Sequence, residues 1–220
     1  MKVGKRTVGI IPIKMHNTRL PGKNIKPLGE GKVLCQYLFE TLSHVKQIDE
    51  IYVYCSDEGI QNYMPQGLRF LKRPEWLDGD TVKSKDILHE FIREVEADIY
   101  ALMHVTQPFL TAGHIDEVVE KVKTDVYDSG FVAREIKEFA WYGGQPVNYS
   151  LKDVVRTQEL QPVYVEGELF VFEKEVFTVL GRRIGEHPYI QPVTWEESIC
   201  IDDEEDFRMA QAALKLHRMD

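Results

Sequence analysis

The segment from residue 14 to residue 26 concentrates positive charge in a chain that is acidic elsewhere. Lys14, Arg19, Lys23 and Lys26 lie within it, although the 220 residues carry a formal net charge of −9. Several converging cations, with a glycine such as Gly22 that lets backbone donors approach closely, are what a polyphosphate requires. The segment, here called the basic loop, lacks the glycine and lysine spacing of a P-loop, which disfavours an ATPase of that class. A solvated loop remains the alternative on charge alone.

The elements that must position this loop follow from hydrophobic periodicity. Short apolar runs at residues 7–13, 50–55, 99–104, 130–133 and 169–172 predict strands, while runs of helical period predict helices at 33–45, 83–95, after Thr111 and from about 203 to 217. Ser56 is the predicted N-cap of a further short helix. This alternation predicts an α/β fold with three layers and a mostly parallel, doubly wound sheet.

Ligands of such folds bind at the carboxyl ends of the strands. That rule brings together the basic loop, the HVTQP segment at residues 104–108 and the acidic segment before the last helix. We therefore expect one site at this edge of the sheet.

Length and composition predict a single domain over residues 1–220, with 43% apolar residues. Residues 134–164 are less regular and form a predicted excursion, which covers the site, contacts a second subunit or is an ordinary surface insertion. The acidic balance argues against nucleic-acid binding. The first apolar run is too short for a signal peptide or membrane span, and the three cysteines have no metal-ligand spacing, so we expect a soluble protein in the reducing cytoplasm. Cys35 lies on an apolar helix face and is a predicted core residue.

The basic loop and its flanks have the sequence IPIKMHNTRLPGKNIKPLGEGKVL. This stretch resembles the opening signature of the acylneuraminate cytidylyltransferases, the CMP-sialic acid synthetase family. Weaker matches follow in the family's order over nearly the whole chain: CSDE at 55–58, KRP at 72–74 with Asp80, HVTQP at 104–108, RTQ at 156–158 and ICIDDEEDF at 199–207.

The resemblance implies a fold like that of the nucleotide-diphospho-sugar transferases and an enzyme that transfers CMP from CTP to an acidic sugar. The acceptor implied is a sialic-acid-like nonulosonic acid, with release of pyrophosphate, Mg²⁺ or Mn²⁺ as cofactor and a homodimeric state. The roles implied are catalytic for Lys14, Arg19 and Lys23; nucleotide binding for Pro12, Ile13, Asn24, Ser56, Asp57 and Arg73; acceptor binding for His104, Thr106, Gln107, Arg156 and Gln158; and metal binding for Asp202.

Several positions depart from the family pattern. Lys14 stands where the family has arginine. The lysine keeps the positive charge but lacks the planar guanidinium that binds a phosphate through two parallel hydrogen bonds. Cys200 replaces the first carboxylate of an Asp-x-Asp pair, and His104 and Leu110 replace a glutamine and an arginine on the acceptor side. Three acidic residues follow, Asp203, Glu204 and Asp206. Either one of them replaces the missing carboxylate, or they only stabilise the N-terminus of the last helix. Two alternatives therefore stay open: a cytidylyltransferase for another anion, such as a deoxy-octulosonic acid or a phosphonate, and a non-catalytic nucleotide-binding protein.

Overall fold

The computed structural model describes residues 4–216. The predicted end of the last helix at His217, and the first three residues of the chain, lie outside that range. The strands are β1 (Thr7–Ile13), β2 (Pro27–Gly29), β3 (Lys32–Val33), β4 (Glu50–Cys55), β5 (Arg69–Lys72), β6 (Ile99–Met103), β7 (Ser129–Ile136), β8 (Trp141–Tyr142), β9 (Gln145–Pro146), β10 (Val163–Glu173) and β11 (Pro188–Val193). The α-helices are α1 (Leu34–Leu42), α2 (Ser84–Glu94), α3 (Ala112–Lys123), α4 (Lys174–Leu180) and α5 (Glu204–Leu216).

Seven strands form the central sheet in the order β11-β7-β10-β6-β1-β4-β5. β1 pairs in parallel with β4 and β6, and β7 pairs in parallel with β11. Only β10 runs against its neighbours β6 and β7 in this sheet. The predicted mostly parallel sheet is therefore confirmed, with one reversed strand inside it.

Helices cover both faces of the sheet. Successive residues of β1 alternate between two hydrophobic clusters: Ile11 packs with α1 and α3, while Ile10 packs with α2 and α4. Both faces of a central parallel strand are buried, so its sequence is continuously apolar. This arrangement confirms the three-layer α/β prediction, and Cys35 of α1 is fully buried as expected.

Some elements differ from their predicted form. The residues after β4 form a 3₁₀ helix, Glu58–Tyr63, and its N-cap is Asp57, whose carboxylate accepts from the backbone N–H of Gly59. Ser56 is therefore not the cap that was predicted. β7 and β10 extend into the predicted excursion, which leaves residues 137–162 between them with the small hairpin β8–β9.

Within residues 4–216, no helix is both long and apolar enough to cross a membrane.

Candidate active site

The basic loop is fastened to the segment that precedes α5. Lys23 is buried, and its ammonium donates to the carbonyl of Ile201 at 2.7 Å and to Asp202 Oδ1 at 3.2 Å. Arg19 donates to the same carboxylate oxygen at 2.8 Å. Gly22 makes this turn possible because its φ of 66° lies in the left-handed region that favours glycine. Two cations thus converge on one carboxylate, and an oxygen of a phosphate can take the same place.

The rest of the loop shapes a hollow beside this cluster. Lys14 donates to Asp80 at 2.8 Å, and Asn24 donates to the Lys14 carbonyl at 2.8 Å. The second polar atom of Asn24, Oδ1, is buried with no partner among the described residues. The hollow has a volume of about 180 Å³ and is lined by Lys14, His16, Asn17, Thr18, Arg19, Leu20, Lys23 and Asp202.

A second hollow of about 610 Å³ adjoins the first, because His16 lines both. Ser56 and Asp57 lie in its wall. Arg73 is buried behind it and forms an ion pair with Asp78, which also accepts from the Ser56 hydroxyl. Asp78 therefore joins two of the predicted nucleotide-binding residues, and no sequence motif had pointed to it.

Pro12 and Ile13 form the end of β1. The Ile13 side chain is buried in the core. Its proposed contact with the nucleotide must therefore use the backbone.

His104 begins a third polar cluster at the end of β6. Burial, followed by the charges of Arg183 and Lys23, lowers the pKa of His104 to about 4, so its ring is neutral at physiological pH. Its Nδ1 lies 3.7 Å from Glu168 Oε2, and its Nε2 is buried with no partner among the described residues.

Glu168 reaches this cluster because β10 is antiparallel to β6. Leu169 pairs with Met103, so the residue before it lies beside the residue that follows β6. Its Oε1 is 3.8 Å from the Cys200 thiol. Burial raises the pKa of the Glu168 carboxyl, and the positive charge of Arg183 opposes this rise without reversing it. Sequence reasoning missed Glu168 because its role depends on a reversed strand that periodicity does not reveal.

The predicted acceptor residues Thr106 and Gln107 have backbone partners. The Thr106 carbonyl accepts from Ile201 N at 2.8 Å. Gln107 is buried; its amide donates to the Glu197 carbonyl and accepts from Glu168 N, each at 2.6 Å. Each polar atom of Gln107 thus makes one hydrogen bond to the backbone, and its direct contact with an acceptor stays a prediction.

Among the described residues, Arg156 and Gln158 make no hydrogen bond or ion pair to these clusters. Both are exposed residues of a 3₁₀ turn in the excursion, where Arg156 forms an ion pair with Glu159. Their contact with an acceptor stays a prediction.

The acidic segment offers one carboxylate to a metal. Asp203 and Asp206 accept hydrogen bonds from backbone N–H groups where α5 begins, and Glu204 pairs with Lys26. These three residues therefore serve the helix terminus and the loop instead of replacing the carboxylate absent at Cys200. Within residues 4–216, no three His, Cys, Asp or Glu side chains form a preformed metal cage. Asp202 alone still suits Mg²⁺, which usually takes one or two carboxylates together with phosphate oxygens.

The sequence matches known proteins over most of its length. A family model described as cytidylyltransferase matches residues 8–214. The chain is 28% identical to 3-deoxy-manno-octulosonate cytidylyltransferase 2 of Hydrogenovibrio crunogenus, over 57% of this chain and 50% of that protein. It is 25% identical to 3-deoxy-manno-octulosonate cytidylyltransferase of Thermodesulfovibrio yellowstonii, over 78% and 67%. It is 24% identical to N-acylneuraminate cytidylyltransferase of Escherichia coli O18:K1:H7, over 93% and 51%. The chain thus spans between half and two thirds of the length of these relatives.

Solved structures share the fold. A CMP:2-keto-3-deoxy-manno-octonic acid synthetase complexed with CTP superposes with a TM-score of 0.72 at 15% identity, covering 96% of this chain and 99% of that one. A 4-diphosphocytidyl-2C-methyl-D-erythritol synthase from Anaerococcus prevotii superposes with a TM-score of 0.67 at 16% identity, covering 96% and 97%.

Proposed function

The chain belongs to the cytidylyltransferase family, and we propose that it transfers CMP from CTP to a sugar acid with release of pyrophosphate. The observation that carries the proposal is the convergence of Lys23 and Arg19 on a single oxygen of Asp202 at the carboxyl edge of the sheet. In a triphosphate complex these cations bind phosphate oxygens and hold the leaving pyrophosphate.

The reaction needs no covalent bond between the protein and either substrate. An acceptor hydroxyl oxygen attacks the α-phosphorus in line and its proton passes to solvent, while the bond to the bridging oxygen breaks and pyrophosphate leaves with that electron pair. Lys14, Arg19 and Lys23 orient the phosphates and stabilise the charge that develops on the leaving group. Asn24, Ser56 and the backbone of Pro12 and Ile13 position the nucleoside, with Asp57 and Arg73 shaping the adjoining hollow.

Mg²⁺ or Mn²⁺ is the cofactor that this chemistry implies, and Asp202 is the residue that would hold it. When bound together with the triphosphate, the ion supplies positive charge beside the phosphate oxygens. Asp202 lines the hollow, where its carboxylate pairs with Arg19 and Lys23 in the structure without a nucleotide.

For the acceptor, we propose a 3-deoxy-octulosonic acid in place of the sialic-type acid that the sequence resemblance implied. Two of the three relatives named above are 3-deoxy-manno-octulosonate cytidylyltransferases. A nonulosonic acid is the second candidate, because the N-acylneuraminate enzyme aligns with 93% of this chain.

The test is to incubate the protein with CTP and Mg²⁺ and with each acceptor in turn, and to measure pyrophosphate and the CMP-sugar product. We expect release with 3-deoxy-manno-octulosonate to exceed release with N-acetylneuraminate. Tight CTP binding without turnover of any acceptor would instead favour the non-catalytic alternative and contradict the proposal.

A further inference from the structure

We propose that Glu168 and Arg183 recognise opposite chemical features of the acceptor. Arg183 binds its carboxylate, and Glu168 accepts a hydrogen bond from a hydroxyl or ammonium group of the same molecule. This inference rests on the proposed function and adds two residues to the acceptor side of the site, neither of which was predicted from the sequence.

Glu168 has a fixed backbone and a poorly bonded carboxylate. Its N–H is held by Gln107 at 2.6 Å. The contacts described for its two oxygens are the Cys200 thiol at 3.8 Å, a weak donor, and His104 Nδ1 at 3.7 Å, which exceeds hydrogen-bonding distance. Because the neutral His104 offers no charge, the carboxylate lacks a strong donor. A part-buried carboxylate in this condition gains most from a ligand that donates to it.

Arg183 is oriented but only loosely paired. Its guanidinium lies over the Phe170 ring, 3.6 Å from the centroid, a contact that fixes the plane of the fork. The carboxylate described nearest to it is that of Glu166, at 3.9 Å. Phe170 and Glu166 lie two positions to either side of Glu168 on β10, so Arg183 contacts the stretch of strand that carries Glu168. An arginine fork held in this way suits a ligand carboxylate.

The pair selects among acceptor classes. Arg183 contacts the residues two positions before and after Glu168, and no ion pair joins Arg183 to Glu168 among the described residues. A molecule that carries both a carboxylate and donor groups satisfies both side chains, as a polyhydroxylated sugar acid does. A phosphonate or phosphate acceptor would place a second negative charge beside Glu168, which is unfavourable in a part-buried site. The geometry therefore disfavours the phosphonate alternative that the sequence left open.

The experiment compares Glu168→Gln and Arg183→Met with the wild type, using 3-deoxy-manno-octulosonate as the probe. Glu173→Gln is the matched control, because Glu173 has a similar exposed fraction but lies at the last residue of the same strand, paired with Lys5. For each site variant we expect the acceptor KM to rise about tenfold or more, since a charge-assisted hydrogen bond contributes roughly 1.5–3 kcal/mol. The KM for CTP and the affinity for Mn²⁺, measured by calorimetry, should stay close to wild type.

An unchanged acceptor KM in Glu168→Gln would overturn the inference. So would a loss of Mn²⁺ affinity with the acceptor KM preserved, because Glu168 would then serve a metal. Acceptor binding is also measured by calorimetry in the presence of CMP. Binding that is lost in the variants, without any transfer by the wild type, would support the inference and refute the proposed function. Absence of both binding and transfer in the wild type would refute both.

An analogue of the same acid with one hydroxyl replaced by an amino group separates the two donors. A lower KM for this analogue than for the parent in the wild type, and equal values in Glu168→Gln, would assign an ammonium partner. A lower KM for the parent would assign a hydroxyl.

Discussion

Lys23 differs from the other cations of the basic loop because it is almost completely buried. Its ammonium is held by the Ile201 carbonyl and by Asp202, which belong to the segment before α5. Arg19 carries the same carboxylate contact from a far more exposed position. A buried, oriented ammonium loses little side-chain entropy when a phosphate arrives, so Lys23 should contribute more to nucleotide binding than Arg19.

We predict that Lys23→Ala weakens CTP binding by about ten- to a hundredfold, since the variant loses a charge-assisted contact and leaves Asp202 without its buried cation. Calorimetry with CTP and Mg²⁺ measures the effect. Lys32→Ala is the control, because Lys32 pairs with Glu40 away from the hollows. CTP affinity equal to wild type in Lys23→Ala would show that the phosphates bind elsewhere.

Whether a site residue could be predicted from the sequence depends on how far along the chain its interaction partners lie. The cations were predictable because charge and glycine placement are local features of the basic loop. Asp78, Glu168 and Arg183 were not, because each acts through contacts that only the folded chain creates. Gln107 shows the converse: its sequence motif predicted contact with the acceptor, but its amide is hydrogen-bonded to backbone groups in the fold.

Among the strands of the central sheet, the two at its edges, β5 and β11, were the ones that the sequence did not reveal. β11 contains Pro188 and Pro192, which normally argue against a strand but are tolerated at an edge where one side needs no N–H donors. β5 reads RFLK and is only partly buried, so its pattern resembles a polar loop. The central strands were predictable because burial on both faces demands continuous apolar sequence.

The turn before Cys200 is tied to α3 by Glu197, which is only 5% exposed. Its carboxylate accepts from Thr111 N, the Thr111 hydroxyl, His114 Nδ1 and Thr194 N. We predict that Glu197→Ala lowers the free energy of unfolding by about 2–3 kcal/mol, because several buried donors lose their acceptor. Urea unfolding measures this value. Glu196→Ala is the neighbouring, partly exposed control and should change it little.

The same carboxylate predicts a pH dependence of stability. Burial pushes the pKa of Glu197 upward, but hydrogen bonds from His114, Thr111 and Thr194 outweigh it and lower the pKa below its ordinary value of 4.5. A lowered folded-state pKa contributes stability above the unfolded value, and that contribution is lost as the pH falls through the folded pKa. We expect the unfolding free energy of the wild type to fall more steeply below pH 4.5 than that of Glu197→Gln. Parallel curves from urea titrations across that range would contradict this assignment.

β10 is irregular between Glu166 and Phe170, where its register with β7 shifts. Gly167 lies in this stretch, and an added Cβ would meet Val132 Cγ2 at 2.8 Å and the Gln107 amide at 3.0 Å. We predict that Gly167→Ala destabilises the protein by about 1–3 kcal/mol through overpacking and displaces Glu168, raising the acceptor KM. Gly113→Ala, where nothing lies within 4 Å of the added Cβ, is the control in thermal unfolding and kinetics. A variant with wild-type stability and kinetics would show that this stretch tolerates a Cβ.

At the scale of the whole molecule, the excursion at residues 137–162 exposes several large apolar side chains that are not packed into the core. Trp141 and Tyr142 are 55% and 85% exposed, and Leu151 and Val154 are each 60% exposed. Exposed apolar side chains gathered in one segment of an otherwise charged protein favour an interaction surface there. Because most soluble oligomers are symmetric homo-oligomers, a second copy of the chain is the occupant we propose for this surface.

We therefore predict that the protein is a homodimer through the excursion and that Trp141→Ser combined with Tyr142→Ser converts it into a monomer. Replacing exposed aromatic side chains removes the apolar area that association would bury, while the core clusters contain neither residue. Light scattering after size-exclusion chromatography should give the wild type twice the 25.5 kDa mass of one chain and the double variant a single mass. Trp195→Ser, which removes a comparably exposed tryptophan outside the excursion, should remain dimeric. A wild-type protein that is monomeric at micromolar concentration would refute the prediction, and a dimeric double variant would place the interface on another surface.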